Sequence, residues 1–162
     1  MKNQPLTFAE VSAAVRLDGG TLFWRASKGG VRVGDAITRM NVDGYLCLSI
    51  NRRKLLAHRV VWMLTHGSWP DGLIDHIDRN KLNNDPKNLR VASASENHAN
   101  SPPSVRKFKG ITFHKRAGKY QAQCQGRHLG LFATQEEAAA AYDKQARVAY
   151  GEFAWLNFPE AA

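Results

Sequence analysis

Short alternations of apolar and polar residues run through the first third of the chain and predict one helix followed by small strands. The helix is predicted over 7–15, because Thr7 can cap it and Glu10 follows three residues later. The strands are predicted at 21–25, 39–42 and 45–50. The cations Arg52-Arg53-Lys54 are interpreted as part of a polar turn.

The middle of the chain predicts the order helix, strand, loop, strand, helix. Apolar residues recur on one face of a helix over 55–66. Short apolar runs at 73–77 and 89–92 predict two strands, and the loop between them is rich in asparagine. A serine can then cap a helix that runs through Asn97.

A stiff linker, Ser101-Pro102-Pro103-Ser104, precedes a second group of strands and a helix. The strands are predicted at 109–114, 119–125 and 127–132, and the helix over 136–150. We therefore expect an α+β chain with three parts. They are a β-rich lead-in over 1–56, a small strand–loop–strand–helix unit over 57–104, and a three-stranded antiparallel sheet with one helix over 105–162.

The net charge of +9 and a pI of about 9.9 favour a polyanionic partner. Residues 1–56 hold nine Lys and Arg against four acids, and 105–162 hold nine against five. Residues 57–104 hold five of each. This distribution is expected if the two ends hold a phosphate backbone and the middle recruits a cation.

Cysteine usage and hydropathy exclude several classes of protein. Cys47 and Cys124 both fall in alternating runs that are typical of strands, and without a CxxC pair no zinc site made of cysteines is expected. No apolar run has the length of a signal peptide or of a membrane span. We expect a soluble, intracellular protein with no membrane partner.

The segment 75–97 combines a carboxylate, a histidine and two amides, in Asp75-His76, Asn88 and Asn97. Carboxylate and amide oxygens suit one hard divalent cation, and a histidine can exchange a proton near neutral pH. Together these groups suit phosphodiester hydrolysis. In a strand, however, adjacent side chains point to opposite faces, so Asp75-His76 alone is a weak signal.

Five short motifs surround these residues: His58-Arg59, Asp75-His76-Ile77-Asp78, Asn83-Asn84, Asn88-Leu89-Arg90 and Glu96-Asn97. Their order and spacing resemble the HNH endonuclease family, whose ββα-metal fold surrounds one divalent ion. The resemblance implies that His76 is the general base. It also implies that Asp75 and Asn97 bind one divalent metal ion, Mg²⁺ or alternatively Mn²⁺. Asn88 would be a catalytic residue whose amide holds either the hairpin loop or the His76 ring.

Other residues near these motifs have alternative interpretations. Asn97 is favoured over His98 as a ligand because its spacing matches the asparagine-ending branch of the family. Arg90 either neutralises a phosphate or lies on the surface. His58 either approaches the site from its helix or packs in the core. Asp78 is predicted to cap the loop turn.

A second set of motifs spans 109–158: Lys109-Gly110-Ile111, Gly118-Lys119-Tyr120, Leu129-Gly130-Leu131-Phe132, Thr134-Gln135-Glu136-Glu137 and Leu156-Asn157-Phe158-Pro159. Together they resemble the APETALA2 DNA-binding domain, which lays a three-stranded sheet in the major groove. Seven Lys or Arg and no acid lie between Pro102 and Gln135. Thr112 and Gln125 stand where the family has arginine, and His128 where it has tryptophan, so no target sequence carries over.

Twelve side chains are predicted to contact DNA through phosphates or base edges. They are Arg52, Arg53, Lys54, Arg90, Lys109, His114, Arg116, Lys119, Gln121, Gln123, Gln125 and Arg127. The alternative for the C-terminal set is a solvated basic face. The alternative for the lead-in over 1–56 is a purely structural scaffold.

These features predict a metal-dependent DNA endonuclease of the homing type, which nicks duplex DNA at a site chosen by its C-terminal module. We expect it to act as a monomer on DNA, without a small-molecule cofactor, as a phage-encoded protein in the bacterial cytoplasm. The alternative is a catalytically inactive, sequence-specific DNA-binding regulator that retains the nuclease fold. An RNA-binding protein is a weaker hypothesis, because nothing resembles an aromatic RNA-binding platform.

Overall fold

Small antiparallel hairpins and four α-helices make up the described part of the chain, which is α+β as expected. The computed structural model describes residues 4–27, 29–103 and 107–159. The chain divides into two units, 1–93 and 94–162, each with its own hydrophobic core. This division lies before the predicted boundary at 104–105, so the last helix of the predicted central unit falls in the second unit.

The first unit opens with helix α1 (Phe8–Ala14) and the hairpin of β1 (Val15–Asp18) and β2 (Thr21–Trp24). The predicted capping box is present. Thr7 Oγ1 accepts from the Glu10 N–H at 3.3 Å, and Glu10 Oε2 accepts from the Thr7 N–H at 2.8 Å. Strand β1 is not predicted from the sequence, because it follows α1 without an intervening turn signal.

The second hairpin, β3 (Cys47–Ile50) and β4 (Arg53–Leu56), leads directly into helix α2 (Ala57–His66). Three sequence predictions are wrong here. The turn is confined to Asn51-Arg52, both with positive φ, so Arg53 and Lys54 belong to β4. Helix α2 begins at Ala57 rather than at 55, and the predicted strand over 39–42 is reduced to one bridge between Met40 and Leu46.

The third hairpin consists of β5 (Leu73–His76) and β6 (Leu89–Ala92), on either side of the loop 77–88. Their register pairs Asp75 with Arg90 and His76 with Leu89. The hairpin rests on the core of the first unit, where Ile74 and Leu89 pack with the buried valines of α1, β1 and α2. Asp75 and His76 therefore end a strand that is anchored in the core.

The second unit contains α3 (Ala94–Ala99) and the sheet β7 (Ile111–His114), β8 (Lys119–Cys124) and β9 (Arg127–Phe132), followed by α4 (Gln135–Tyr150). The three predicted strands and the predicted helix are present, although Lys109 and Gln125 lie outside the strands. Alanines on α4, among them Ala138 and Ala146, are buried in the core against the sheet residue Ala122. Among the described residues, no helix has the length and hydropathy needed to cross a membrane.

The end of the second unit is fixed by Asp143 and Asn157. The buried Asp143 carboxylate accepts from the backbone N–H groups of Asn157 and Phe158, both at 2.8 Å. Asn157 in turn accepts from the Lys109 N–H at 2.7 Å through Oδ1. The closing motif predicted from the sequence therefore connects α4 to the start of the sheet.

Candidate active site

Asp75 and His76 are both buried, with exposed fractions of 5% and 4%, although they point to opposite faces of β5. Asp75 faces its cross-strand neighbour Arg90, whose Nε donates to Asp75 Oδ2 at 2.9 Å. The Arg90 side chain is 11% exposed, so this ion pair is largely buried. The interpretation of Arg90 as a surface residue is therefore wrong. In the structure its guanidinium neutralises the carboxylate of Asp75.

The ring of His76 is held by an asparagine of the loop. Asn84 is 3% exposed, and its Oδ1 lies 3.1 Å from His76 Nε2. An amide oxygen can only accept, so Nε2 carries the hydrogen in this arrangement. In the neutral ring Nδ1 is then the unprotonated nitrogen.

Two further rings lie beside His76. The centroid of His58 is 5.2 Å from that of His76 with an edge-on geometry, and Tyr45 lies 5.1 Å from His58 and 6.0 Å from His76. His58 is 5% exposed, so both interpretations of it hold: it is a core residue and it contacts the candidate base. Burial, followed by the charges of His76 and Arg59, lowers the pKa of His58 to about 4.

Because His58 is held neutral, the protein should lose stability in mild acid. The unfolded chain, with an ordinary histidine pKa near 6.5, binds more protons than the folded protein between pH 6.5 and 4. The free energy of unfolding should therefore fall as the pH drops through this window, by up to about 3 kcal/mol from this residue. Urea unfolding at several pH values gives the free energy of unfolding of wild type and of His58→Gln. If that free energy depends on pH equally in the two proteins, the prediction is wrong.

Asn88 holds the hairpin loop and not the His76 ring. Its Nδ2 donates to Asp78 Oδ1 and to the Asn83 carbonyl, both at 2.8 Å, and its Oδ1 accepts from the Asp78 N–H at 3.0 Å. Asp78 also accepts from the Asn80 N–H at 2.8 Å and from Asn83 Nδ2 at 2.7 Å. The predicted turn-capping role of Asp78 is confirmed. Burial raises its pKa, but the hydrogen bonds from Asn83, Asn80 and Asn88 outweigh that effect and lower the pKa overall.

Sequence reasoning therefore missed Asn84. The motif Asn83-Asn84 indicates a loop, but four asparagines of the loop have the same chemistry, and only their burial separates them. Asn80, Asn83 and Asn88 bond within the loop, whereas the side chain of Asn84 reaches β5. The one feature of the sequence that sets Asn84 apart is its position directly before Asp85-Pro86, where a one-turn 3₁₀ helix begins.

Asn97 and His98 lie on α3, in the second unit. The end of this helix is capped by Lys109, whose ammonium donates to the carbonyls of His98, Ala99 and Ser101 at 2.6–2.8 Å. The Trp155 N–H also donates to the Ala99 carbonyl, at 3.0 Å. Lys109 thus has a structural role that differs from the DNA contact predicted for it.

The three adjacent cations of the first unit, Arg52 in the turn and Arg53 and Lys54 on β4, do not share one face. Arg52 and Lys54 line a groove together with Arg39 and the apolar side chains of Met40 and Val42. Arg53 points away from them, and its guanidinium donates to the carbonyl of Gln4. The structure therefore makes Arg52 and Lys54 candidates for a common ligand and gives Arg53 a separate role.

The exposed face of the C-terminal sheet carries polar side chains across β7 and β8. Thr112 is opposite Gln121, and His114 is opposite Lys119, whereas Phe113 and Tyr120 point to the other face. Gln123 continues this row along β8. Three other predicted DNA contacts lie beside this face. Arg116 and Gln125 are in the turns that join the strands, and Arg127 is the first residue of β9.

The order strand, loop, strand, helix over 73–99, with a buried carboxylate–histidine pair ending the first strand, is compatible with the class of ββα nucleases. Residues 55–99 match the family model described as HNH endonuclease, so this segment is similar to an HNH endonuclease domain. An uncharacterized HNH endonuclease of Acanthamoeba polyphaga mimivirus is 32% identical over 117 residues. That match covers 68% of this chain, which spans 61% of the relative's length.

A second relative resembles only a small part of the chain. It is the dehydration-responsive element-binding protein 2E of Arabidopsis thaliana, 66% identical over 32 residues. The match covers 20% of this chain and 13% of the relative. No solved structure matches the chain significantly.

The carboxylate of Asp75 suits a hard cation better than a soft one. Among the residues that the structure describes, no three His, Cys, Asp or Glu side chains form a cluster that could hold a metal ion. Magnesium instead takes one or two carboxylates and retains several water molecules. The buried Asp75 carboxylate fits that requirement, and the Arg90 guanidinium on its Oδ2 leaves less negative charge for a cation.

Proposed function

We propose that this protein is a divalent-metal-dependent DNA endonuclease that nicks duplex DNA, in the manner of a homing endonuclease. The observation that carries the proposal is the buried His76 ring, which is held through Nε2 by Asn84 and directly follows the buried Asp75 in the chain. A histidine whose ring is held in this way can serve as a general base that takes a proton from water. The HNH match over 55–99 and the viral relative named as an HNH endonuclease support the same activity.

In this proposal Asp75 and Asn97 hold one divalent ion, Mg²⁺ or Mn²⁺, through oxygen atoms. Such an ion, when bound, stabilises the negative charge that develops at a phosphate during hydrolysis. His76 accepts the proton of the attacking water. Asn88 keeps the loop 77–88 closed, and Asn84 keeps the His76 ring in its orientation.

The direct test is the conversion of supercoiled plasmid to the nicked circle by the whole protein. We expect nicked circles in the presence of Mg²⁺ or Mn²⁺, no reaction in EDTA, and full recovery when Mg²⁺ is added in excess. Linear plasmid as the first product would contradict nicking. Intact plasmid under all salt and metal conditions would contradict the endonuclease itself.

The proposed DNA-binding surface of the second unit is the exposed face of β7 and β8. Its side chains, His114, Lys119, Gln121 and Gln123, offer both donors and acceptors for base edges and phosphates. The neighbouring cations Arg116 and Arg127 and the amide of Gln125 extend this surface. The partial similarity to a plant protein named for binding a DNA element supports the assignment.

Arg52 and Lys54 are proposed as phosphate contacts of the first unit. If they are, the double variant Arg52→Gln/Lys54→Gln should lower the slope of log affinity against log salt by about 2. Arg53→Gln is the matched control, because its guanidinium already binds the Gln4 carbonyl. Fluorescence anisotropy on one duplex at several salt concentrations measures the slopes, and equal slopes for all three proteins would remove Arg52 and Lys54 from the interface.

One observation favours the alternative function, a DNA-binding regulator without catalysis. The Arg90 guanidinium occupies one oxygen of the carboxylate that is proposed to bind the metal ion. A protein that had lost cleavage could retain such an ion pair for stability. In that case the protein would bind duplex DNA without cutting it, and Asp75→Ala would leave the affinity unchanged.

A further inference from the structure

The turn between β1 and β2 lies directly against the loop that holds His76. The two strands are joined by Gly19 and Gly20, both with positive φ, at +53° and +82°. A Cβ placed on Gly20 would lie 2.6 Å from the backbone nitrogen of Asp85, 2.7 Å from its Cα and 2.9 Å from the carbonyl carbon of Asn84. All three are backbone atoms, so no side chain can rotate away to make room.

Gly20 is thereby connected to the candidate base by two contacts. The space beside its Cα is filled by the backbone of Asn84 and Asp85, and the Asn84 side chain bonds Nε2 of His76 at 3.1 Å. Asn84 and His76 are both buried, so the ring has little room to adopt another position. The hairpin of β1 and β2 is itself fixed to the core of the first unit through Val15 and Leu22.

We infer that Gly20 and Asn84 are positioning residues of the nuclease site: the Gly20 turn sets the place of the Asn84 backbone, and Asn84 selects the Nε2–H tautomer of His76. This inference rests on the proposed function, because it assumes that His76 acts as the base. It assigns to the β-rich lead-in a part in catalysis in addition to DNA contact or scaffolding. A base misplaced by a fraction of an ångström loses much of its advantage, so small shifts of this loop matter.

Gly19 provides a matched control for Gly20. Both glycines have positive φ in the same turn, so alanine introduces a similar backbone strain at each. A Cβ on Gly19 meets nothing within 4 Å, whereas one on Gly20 meets the backbone of the loop. A difference between Gly19→Ala and Gly20→Ala therefore reports the contact and not the turn.

The first measurement is single-turnover nicking of supercoiled plasmid in Mg²⁺, with the unfolding temperature of each variant recorded alongside. We expect Gly20→Ala to lower the rate by about tenfold or more at saturating protein, and Gly19→Ala to stay within about twofold of wild type. Plasmid affinity should be the same for both. Equal rates for the two variants would overturn the role of Gly20.

The second measurement does not depend on cleavage. In ¹⁵N spectra of the His76 ring at alkaline pH, wild type should show a protonated Nε2 and an unprotonated Nδ1. Asn84→Leu and Gly20→Ala should shift both signals toward a mixture of tautomers, whereas Asn84→Asp, which keeps an oxygen acceptor, and Gly19→Ala should not. Unchanged signals in Asn84→Leu would overturn the inference. The expected signals in a protein that cuts no DNA would instead refute the proposed function and leave the positioning intact.

Discussion

Replacing His76 with alanine is expected to slow DNA nicking by about 10²–10⁴-fold, which is the usual contribution of a positioned general base. Binding of duplex DNA should be unchanged, because His76 is buried and the predicted DNA contacts are other residues. His58 cannot replace the lost base, although its ring is 5.2 Å away. Its pKa of about 4 means that it is neutral at pH 7 but a weak proton acceptor.

The control for this experiment is His66→Ala. His66 is exposed at the end of α2 and stacks on Trp62 with a centroid distance of 3.8 Å. Its removal should leave the nicking rate within about twofold of wild type, as expected for a surface substitution. If His76→Ala and His66→Ala nick plasmid equally well, His76 is not the base and the active site lies elsewhere.

Replacing Asp75 with alanine should damage both stability and cleavage. The change leaves the Arg90 guanidinium buried without its carboxylate, and breaking a buried ion pair in this way typically costs about 3–5 kcal/mol. It also removes the carboxylate proposed to bind the metal ion. Loss of activity in this variant alone would therefore not distinguish a metal ligand from a structural residue.

The double variant Asp75→Ala/Arg90→Leu separates the two roles. With both charges gone, an apolar pair can fill the space, and most of the lost stability should return. Cleavage should remain below about one hundredth of wild type, since the carboxylate is still missing. Urea unfolding followed by tryptophan fluorescence gives the stability, and plasmid nicking gives the activity. A double variant that nicks at the wild-type rate would show that Asp75 serves only to pair with Arg90.

Capping patterns and strand alternation are sufficient to predict much of this fold. Thr7 with Glu10 and Thr134 with Glu137 form the capping boxes that their spacing predicts. The second hairpin is not predicted correctly. In the sequence, Leu55 and Leu56 extend the apolar pattern of α2, but in the structure they are the last two residues of β4. Periodicity cannot separate these cases when a strand runs into a helix without a turn.

The candidate site was predictable in its chemistry but not in its contacts. Asp75 and His76 are recognisable from the spacing of the motifs. The partners of Arg90 and Lys109 depend instead on which backbone and side-chain groups fold back onto them. A lysine counted as a cation for DNA binds two carbonyls of α3 and one just beyond it, and an arginine assigned to a phosphate pairs with a carboxylate of the protein.

If the proposed function is correct, the cap on α3 has a consequence for exchanging recognition modules between nucleases. The linker at 101–104 looks like the natural place to join a new module. A splice there would discard Lys109 and Trp155, and with them the hydrogen bonds that end the helix carrying Asn97. A hybrid enzyme would need either a graft that begins before Ala94 or an incoming module with its own lysine at the equivalent place.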